Sequence, residues 1–102
     1  MLSGKQRRHL RSLGHHLQPV VQVGKEGVTP PLVKATNQAL EDHELIKVRV
    51  LEAAPDGRHE IAEALAEATK AELAGVLGRT ALFYKKRKKD PKIKLPKDDS
   101  AE

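Results

Sequence analysis

Gly24-Lys25-Glu26-Gly27 is the stretch of this chain best suited to meeting a ligand. It follows an apolar run, Val20-Val21-Gln22-Val23, and leads through Val28 and Thr29 to Pro30. The two glycines can take positive φ and carry no Cβ, so a foreign backbone can come close. Lys25 sets a cation between them. A helix opening at Pro30 would turn its unpaired N–H groups, with their partial positive charge, the same way. A cationic loop on a helix N-terminus suits an anion, and a phosphodiester backbone in particular. Glycines three apart also mark plain strand-to-helix turns, so the spacing alone leaves both readings open.

Other chemistry finds little support. There is no cysteine, which excludes disulfides and thiolate metal sites. His9, His15, His16, His43 and His59 are scattered, and the adjacent His15 and His16 point to different sides of a helix. No Ser-His-Asp pattern, Walker loop or dinucleotide fingerprint is visible. Neither a catalytic activity nor a metal or cofactor is expected. KH domains, by contrast, use a Gly-x-x-Gly loop to clamp a single-stranded nucleic-acid backbone. Phe83 and Tyr84 are the only aromatic residues, and alternation sends at least one of them into the core. Base stacking on aromatic platforms is therefore scarce, and recognition must rest on charge, shape and the 2′-OH.

The formal net charge of +5 conceals a segregation of signs. Residues 1–25 carry +5 with no acid, residues 26–84 carry −4, and residues 85–102 carry +4. Clustered Lys and Arg attract polyanions over a Debye length, whereas solubility alone needs no such separation. The acid-free start shares its composition with mitochondrial transit peptides but runs into a strand without a break. It has no apolar signal-peptide core, and no run approaches a membrane span, so a cytoplasmic protein is expected.

A chain of 102 residues suits one domain. Ser3 and Gln6 form a capping-box pattern, and Leu2, Leu10, Leu13 and Leu17 fall within an arc of roughly 80° on the helix that follows. Lys5, Arg7, Arg8 and Arg11 occupy a separate basic face, and Gln18-Pro19 is the expected stop. A strand over 20–23 leads to the glycine loop. Thr29 and Pro30 then cap and open a second helix to about Asp42, with Leu32, Val33, Ala35, Thr36, Ala39 and Leu40 inward. Residues 45–51 alternate as a strand, with Ile46, Val48 and Val50 on one face and Lys47 and Arg49 on the other. Pro55-Asp56-Gly57 signals a turn, and a third helix over 58–70 buries Ile61, Ala62, Leu65 and Ala66 while Glu60, Glu63 and Glu67 face solvent. Strands over 73–77 and 80–84 meet at Gly78-Arg79. The order α-β-α-β-α-β-β predicts an α/β fold: a small mixed four-stranded sheet with three helices. Strands joined through helices should pair in parallel, and the last pair should form an antiparallel hairpin. Residues 1–85 make the domain, and 86–102, dense in Lys and poor in apolar residues, are expected to be a disordered basic tail.

The segment from Ser3 to Arg11, the strand into Gly24-Lys25-Glu26-Gly27, the Leu45–Val50 strand and Gly78-Arg79-Thr80 lie here in an order that resembles the bacterial YhbY family, the stand-alone form of the CRM domain. The resemblance covers about residues 2–84. It implies a fold similar to the C-terminal domain of translation initiation factor three, and binding to RNA of the precursor large ribosomal subunit in support of its assembly. Plant organelle relatives work in group II intron splicing. By that resemblance the RNA-contacting residues are Gly24, Lys25, Glu26 and Gly27 with Lys5, Arg7, Arg8 and Arg11. Arg79 is a further candidate whose plainer role is a turn charge. Glu26 puts a carboxylate where family members often carry a neutral residue. A monomer is expected. A protein-interaction module using the acidic third helix, an RNA chaperone or splicing-type factor, and a generic DNA binder are the alternatives.

Overall fold

Ser3 opens the first helix. Its hydroxyl accepts from the Gln6 amide at 3.1 Å, while the Gln6 side chain accepts from the Ser3 N–H at 3.0 Å, so two otherwise orphaned donors are satisfied reciprocally. In this computed structural model, which describes residues 2–96, the elements run α1 (Gly4–Gly14), β1 (Pro19–Val23), α2 (Pro30–His43), β2 (Leu45–Val50), α3 (Arg58–Thr69), β3 (Glu72–Leu77) and β4 (Thr80–Tyr84). Helix α1 stops at Gly14, short of the expected Gln18-Pro19. A Cβ on Gly14 would lie 2.7 Å from Leu82 Cδ1. The glycine lets α1 sit against the sheet and then weakens the helix where the chain must turn, with the Leu17 N–H bonding the Gly14 carbonyl at 3.0 Å. Leu13, expected on the buried face, is 43% exposed. In α2, Ala35 is exposed where an inward position was expected, whereas Thr36 is buried and donates to the Leu32 carbonyl.

The sheet order is β1-β2-β4-β3. Strands β1 and β2 pair in parallel through α2, while β4 is antiparallel to both β2 and β3. The expectation that β2 and β3, joined through α3, would pair directly is therefore not met. The hairpin folds back and inserts β4 between them. Apolar character decides this: every residue of Ala81-Leu82-Phe83-Tyr84 is buried, whereas β3 ends in Leu77 at 84% exposure and belongs at an edge.

Alternation divides the core between two faces. Val21, Val23, Ile46, Val48, Ala81 and Phe83 look toward α2 and α3, where they meet Leu40, Ile61 and Leu65. Leu45, Leu82 and Tyr84 look the other way, against Leu2 and Leu10 of the α1 segment. The two aromatic side chains thus fill opposite faces, and neither is free to stack on a base.

Glu44 joins the parts together. It lies between α2 and β2 at φ 67°, is 1% exposed, and its carboxylate accepts the backbone N–H groups of Arg87 (3.1 Å), Lys92 (2.8 Å) and Ile93 (2.8 Å). Burial alone would push the Glu44 carboxyl up. The amides of Ile93, Arg87 and Lys92, with the Arg87 charge, outweigh that and hold it below its ordinary value. Ile93 and Leu95 pack against the α1-side cluster, and Gln6 Nε2 donates to the Pro96 carbonyl at 3.0 Å. These contacts fall on the first part of the segment expected to be a basic tail. Residues 86–96 form no helix or strand, yet a buried carboxylate and two apolar side chains hold them down as a strap. Residues 97–102 of the expected tail lie outside the described residues.

Two outcomes follow from the strap. Glu44→Gln should cost on the order of 2 kcal/mol in urea denaturation, as charge-assisted bonds to buried amides are lost. Because the folded carboxyl is held low, its contribution is complete above the ordinary value of 4.5 and fades as pH falls through the lowered value. Wild-type stability should therefore drop with acid in that window, and the Gln variant should respond less. Ending the chain at Lys85 removes the cover of the α1-side cluster and should lower the melting temperature; an unchanged melt would mean the strap contributes nothing to the fold.

Candidate nucleic-acid interface

The glycine loop is a tight turn. The Gly27 N–H donates to the Gly24 carbonyl at 3.0 Å, placing Lys25 and Glu26 at the exposed corners. Gly27 needs to be glycine on internal grounds: its φ is 69°, and a Cβ there would meet Pro55 Cγ at 3.1 Å. Gly24 differs. It has no positive φ, and a Cβ on it would find only Leu51 Cδ1 at 4.0 Å. Nothing inside the protein requires a glycine there.

The helix behind the loop is a poorer anion site than its position suggests. Pro30 and Pro31 occupy its first two positions and have no N–H to offer. The Leu32 N–H is taken by Thr29 Oγ1 at 3.3 Å, and the Val33 N–H by the Thr29 carbonyl at 2.9 Å. The expected set of unpaired helix amides is absent at these positions, because two prolines and a threonine cap consume it. The amides left to meet a phosphate belong to the turn itself. Among the described residues, neither the Lys25 nor the Glu26 N–H has an internal acceptor.

The sheet groups some of the basic candidates and separates others. Val23 pairs with Val50 and Arg49 with Thr80, so the glycine loop and the Gly78-Arg79 turn lie at the same end of the sheet. Arg79 makes a 3.0 Å ion pair there with Glu52, a weak pair because both side chains are exposed. Arg11 lies over β3, its Cδ 3.1 Å from where a Gly75 Cβ would stand. Arg8 and Arg11 share a shallow hollow with His15 and His16, whose rings meet edge to face at 5.3 Å. Arg7 is exposed on α1. Lys5 stands at the start of α1, near the strap and away from the loop, and has a partner of its own.

Sequence reasoning placed Lys47 and Arg49 on the face opposite Val48 but gave them no role. In the structure that face is covered by α1 only in part. Gln22 and Arg49 are cross-strand neighbours and both exposed, and Lys47 is half-buried beside Leu82. The available signal was a strand carrying two cations on one face with no acid between them. Among the described residues no group of three or more His, Asp or Glu side chains is arranged to hold a metal ion.

Comparison with known proteins bears on this geometry. The family model of the CRS1 / YhbY (CRM) domain matches residues 2–85. The chain is 45% identical to the Bacillus subtilis protein YqeI, named a probable RNA-binding protein, over 94% of this chain and all of the relative. It is 41% identical to a Methanocaldococcus jannaschii protein also named a probable RNA-binding protein, over 96% of this chain and 79% of that one. The solution structure of a Staphylococcus aureus protein described as "a putative RNA binding protein" superposes with a TM-score of 0.81 at 45% identity, covering 94% of this chain and all of that one.

The two loop glycines should respond differently to one added methyl group. Gly27→Ala should cost about 1–2 kcal/mol, since a left-handed residue gains a Cβ that presses on Pro55. Gly24→Ala should stay within about 0.5 kcal/mol of wild type. Equal losses in chemical denaturation would show that the internal contacts do not set the difference.

Proposed function

The chain belongs to the CRS1 / YhbY (CRM) domain family, and from that membership and the site geometry we propose that it is a cytoplasmic, non-catalytic RNA-binding protein acting on precursor large-subunit ribosomal RNA during ribosome assembly. The observation that carries this reading is the glycine loop. Gly24 keeps its side chain empty although no internal neighbour demands it, and Lys25 stands exposed beside it. An empty Cβ position beside a cation lets a sugar–phosphate backbone approach the turn amides closely. Arg8 and Arg11 extend the charge along α1, and Arg7 adds to it. With Phe83 and Tyr84 both buried, the contacts fall on phosphates, riboses and shape, which suits folded ribosomal RNA better than a short sequence-specific strand. The strap's lysines add a sequence-independent attraction. One copy of the chain contains all of these elements.

Binding to a precursor rRNA transcript should weaken steeply with salt. Neutralising about four to seven phosphates gives a slope of log K against log salt of roughly −3 to −6. Changing Lys25 and Glu26 together to Asp should cost about 1–3 kcal/mol of binding with an unaltered melting temperature, and Glu26→Lys should tighten it. Crosslinking in cells followed by sequencing of bound RNA should enrich one region of large-subunit rRNA. Uniform recovery of all transcripts would remove the ribosomal assignment, and a double-Asp variant that binds like wild type would remove the loop.

A further inference from the structure

Two glycines and two cations shape a place that the loop reading leaves unused. Beside α1, on the face of the sheet that also bears Leu45 and Tyr84, a hollow of about 400 Å3 opens between the helix end and the β3–β4 hairpin. Arg11 and Lys47 are its charged walls, His15 stands beside them, and Leu77, Thr80 and Leu82 supply the apolar and hydroxyl lining. Its depth depends on missing side chains. Gly14 brings α1 down onto Leu82, and Gly75 lets the Arg11 side chain lie flat along β3, with Nη1 3.7 Å from the absent Cβ. Leu77, at 84% exposure, is the most exposed large apolar side chain among the described residues, and it stands at the rim. No acid lines the hollow, and among the described residues Arg11, Lys47 and Arg49 have no ion-pair partner. The exposed acids Glu60, Glu63 and Glu67 lie on α3, which packs against the other face of the sheet.

We propose that this bare part of the sheet is a second RNA-contact surface, in which one unpaired nucleotide enters the hollow between Arg11 and Lys47 while Arg49 guides the strand onward to the glycine loop. The inference rests on the RNA-binding reading above and deepens it. Lys47 and Arg49 point to the same side one pleat apart, and Arg49 sits across from Gln22, which lies just before the loop in β1. A continuous cationic row therefore joins the loop to α1. A volume of this size takes one nucleotide, and α1 closes one side, so a duplex does not fit. With Phe83 and Tyr84 both buried, the planar guanidinium of Arg11 over an aliphatic floor, beside the exposed His15 ring, offers the stacking surface that an extruded base needs.

The test uses the full chain, a precursor large-subunit rRNA transcript, and an oligouridine strand set against a duplex of equal length. Lys47→Gln with Arg49→Gln should make the salt slope shallower by about 1.4, the equivalent of two single-strand phosphates. It should weaken oligouridine several-fold more than duplex. Gly75→Ala, which keeps every charge but lifts Arg11, should weaken oligouridine and leave the salt slope alone. On the unaltered protein, 4-thiouridine in the strand should crosslink to peptides from residues 75–82, a readout that needs no variant to fold. If the double-Gln protein keeps wild-type affinity and slope while the Lys25/Glu26 double-Asp protein loses affinity, RNA bypasses the sheet and this proposal falls alone. If the wild-type protein prefers neither the transcript nor oligouridine over heparin, the RNA-binding reading falls and takes this proposal with it.

Discussion

A single buried carboxylate holds the two sides of this molecule together. Glu44 sits at the junction of α2 and β2, and its own carbonyl accepts the Lys85 N–H at 3.0 Å where β4 ends. Its side chain then gathers the strap through the amides of Arg87, Lys92 and Ile93. Taking a charge out of water is costly unless it is fully hydrogen-bonded. Here the acceptor lone pairs face several donors at once, and the nearby Arg87 supplies positive charge. The same neighbourhood explains the Tyr84 phenol, pushed up by burial first and by the Glu44 charge second. Lys85 adds a further tie, its ammonium donating to the Thr69 carbonyl at the end of α3 at 2.9 Å. One corner of the fold thus links α2, β2, β4, α3 and the strap.

The covering of the sheet is unequal, and that asymmetry leaves part of one face open. Helices α2 and α3 close one face with a continuous apolar layer. The other face has one helix and a strap, enough to bury Leu45, Leu82 and Tyr84 but not the far end of β1 and β2. Sheet positions that would be apolar under a helix carry Gln22, Lys47 and Arg49 instead. Strand β4 lies inside the sheet beside β2, and it seals both sides, with Ala81 and Phe83 buried on one face and Leu82 and Tyr84 on the other.

Much of this was legible along the chain, because the signals are local. The Ser3/Gln6 box, the Thr29-Pro30 helix start and the alternation of Ile46, Val48 and Val50 each need only a few neighbouring residues to be read. The insertion of β4 between β2 and β3 was not legible from connectivity, since helix-joined strands can run in the same direction without pairing. It does follow from burial: a four-residue run of Ala, Leu, Phe and Tyr cannot stand at an edge. The strap was hidden for a different reason. Its composition reads as solvated, and only the distant Glu44, which local pattern assigns to a helix end, shows where the amides of Arg87, Lys92 and Ile93 find their acceptor. Among the candidate site residues, the glycine turn was visible by spacing. That the helix behind it lacks donors was also written in the sequence, as Pro30-Pro31, but the general rule about helix termini obscured that detail.

The bond from Gln6 to Pro96 spans nearly the whole described chain, so the two ends of the fold meet. They meet where Glu44 anchors the strap, before the first residue of β2, while the glycine loop lies beyond the last residues of β1 and β2. Chain ends that adjoin are the geometric condition for circular permutation and for insertion into a host domain. A second domain joined directly at Ser3 or at Pro96 would leave from the pole opposite the loop. A unit joined through residues 6 and 96 can therefore be carried as a module without its neighbours shading the glycine loop.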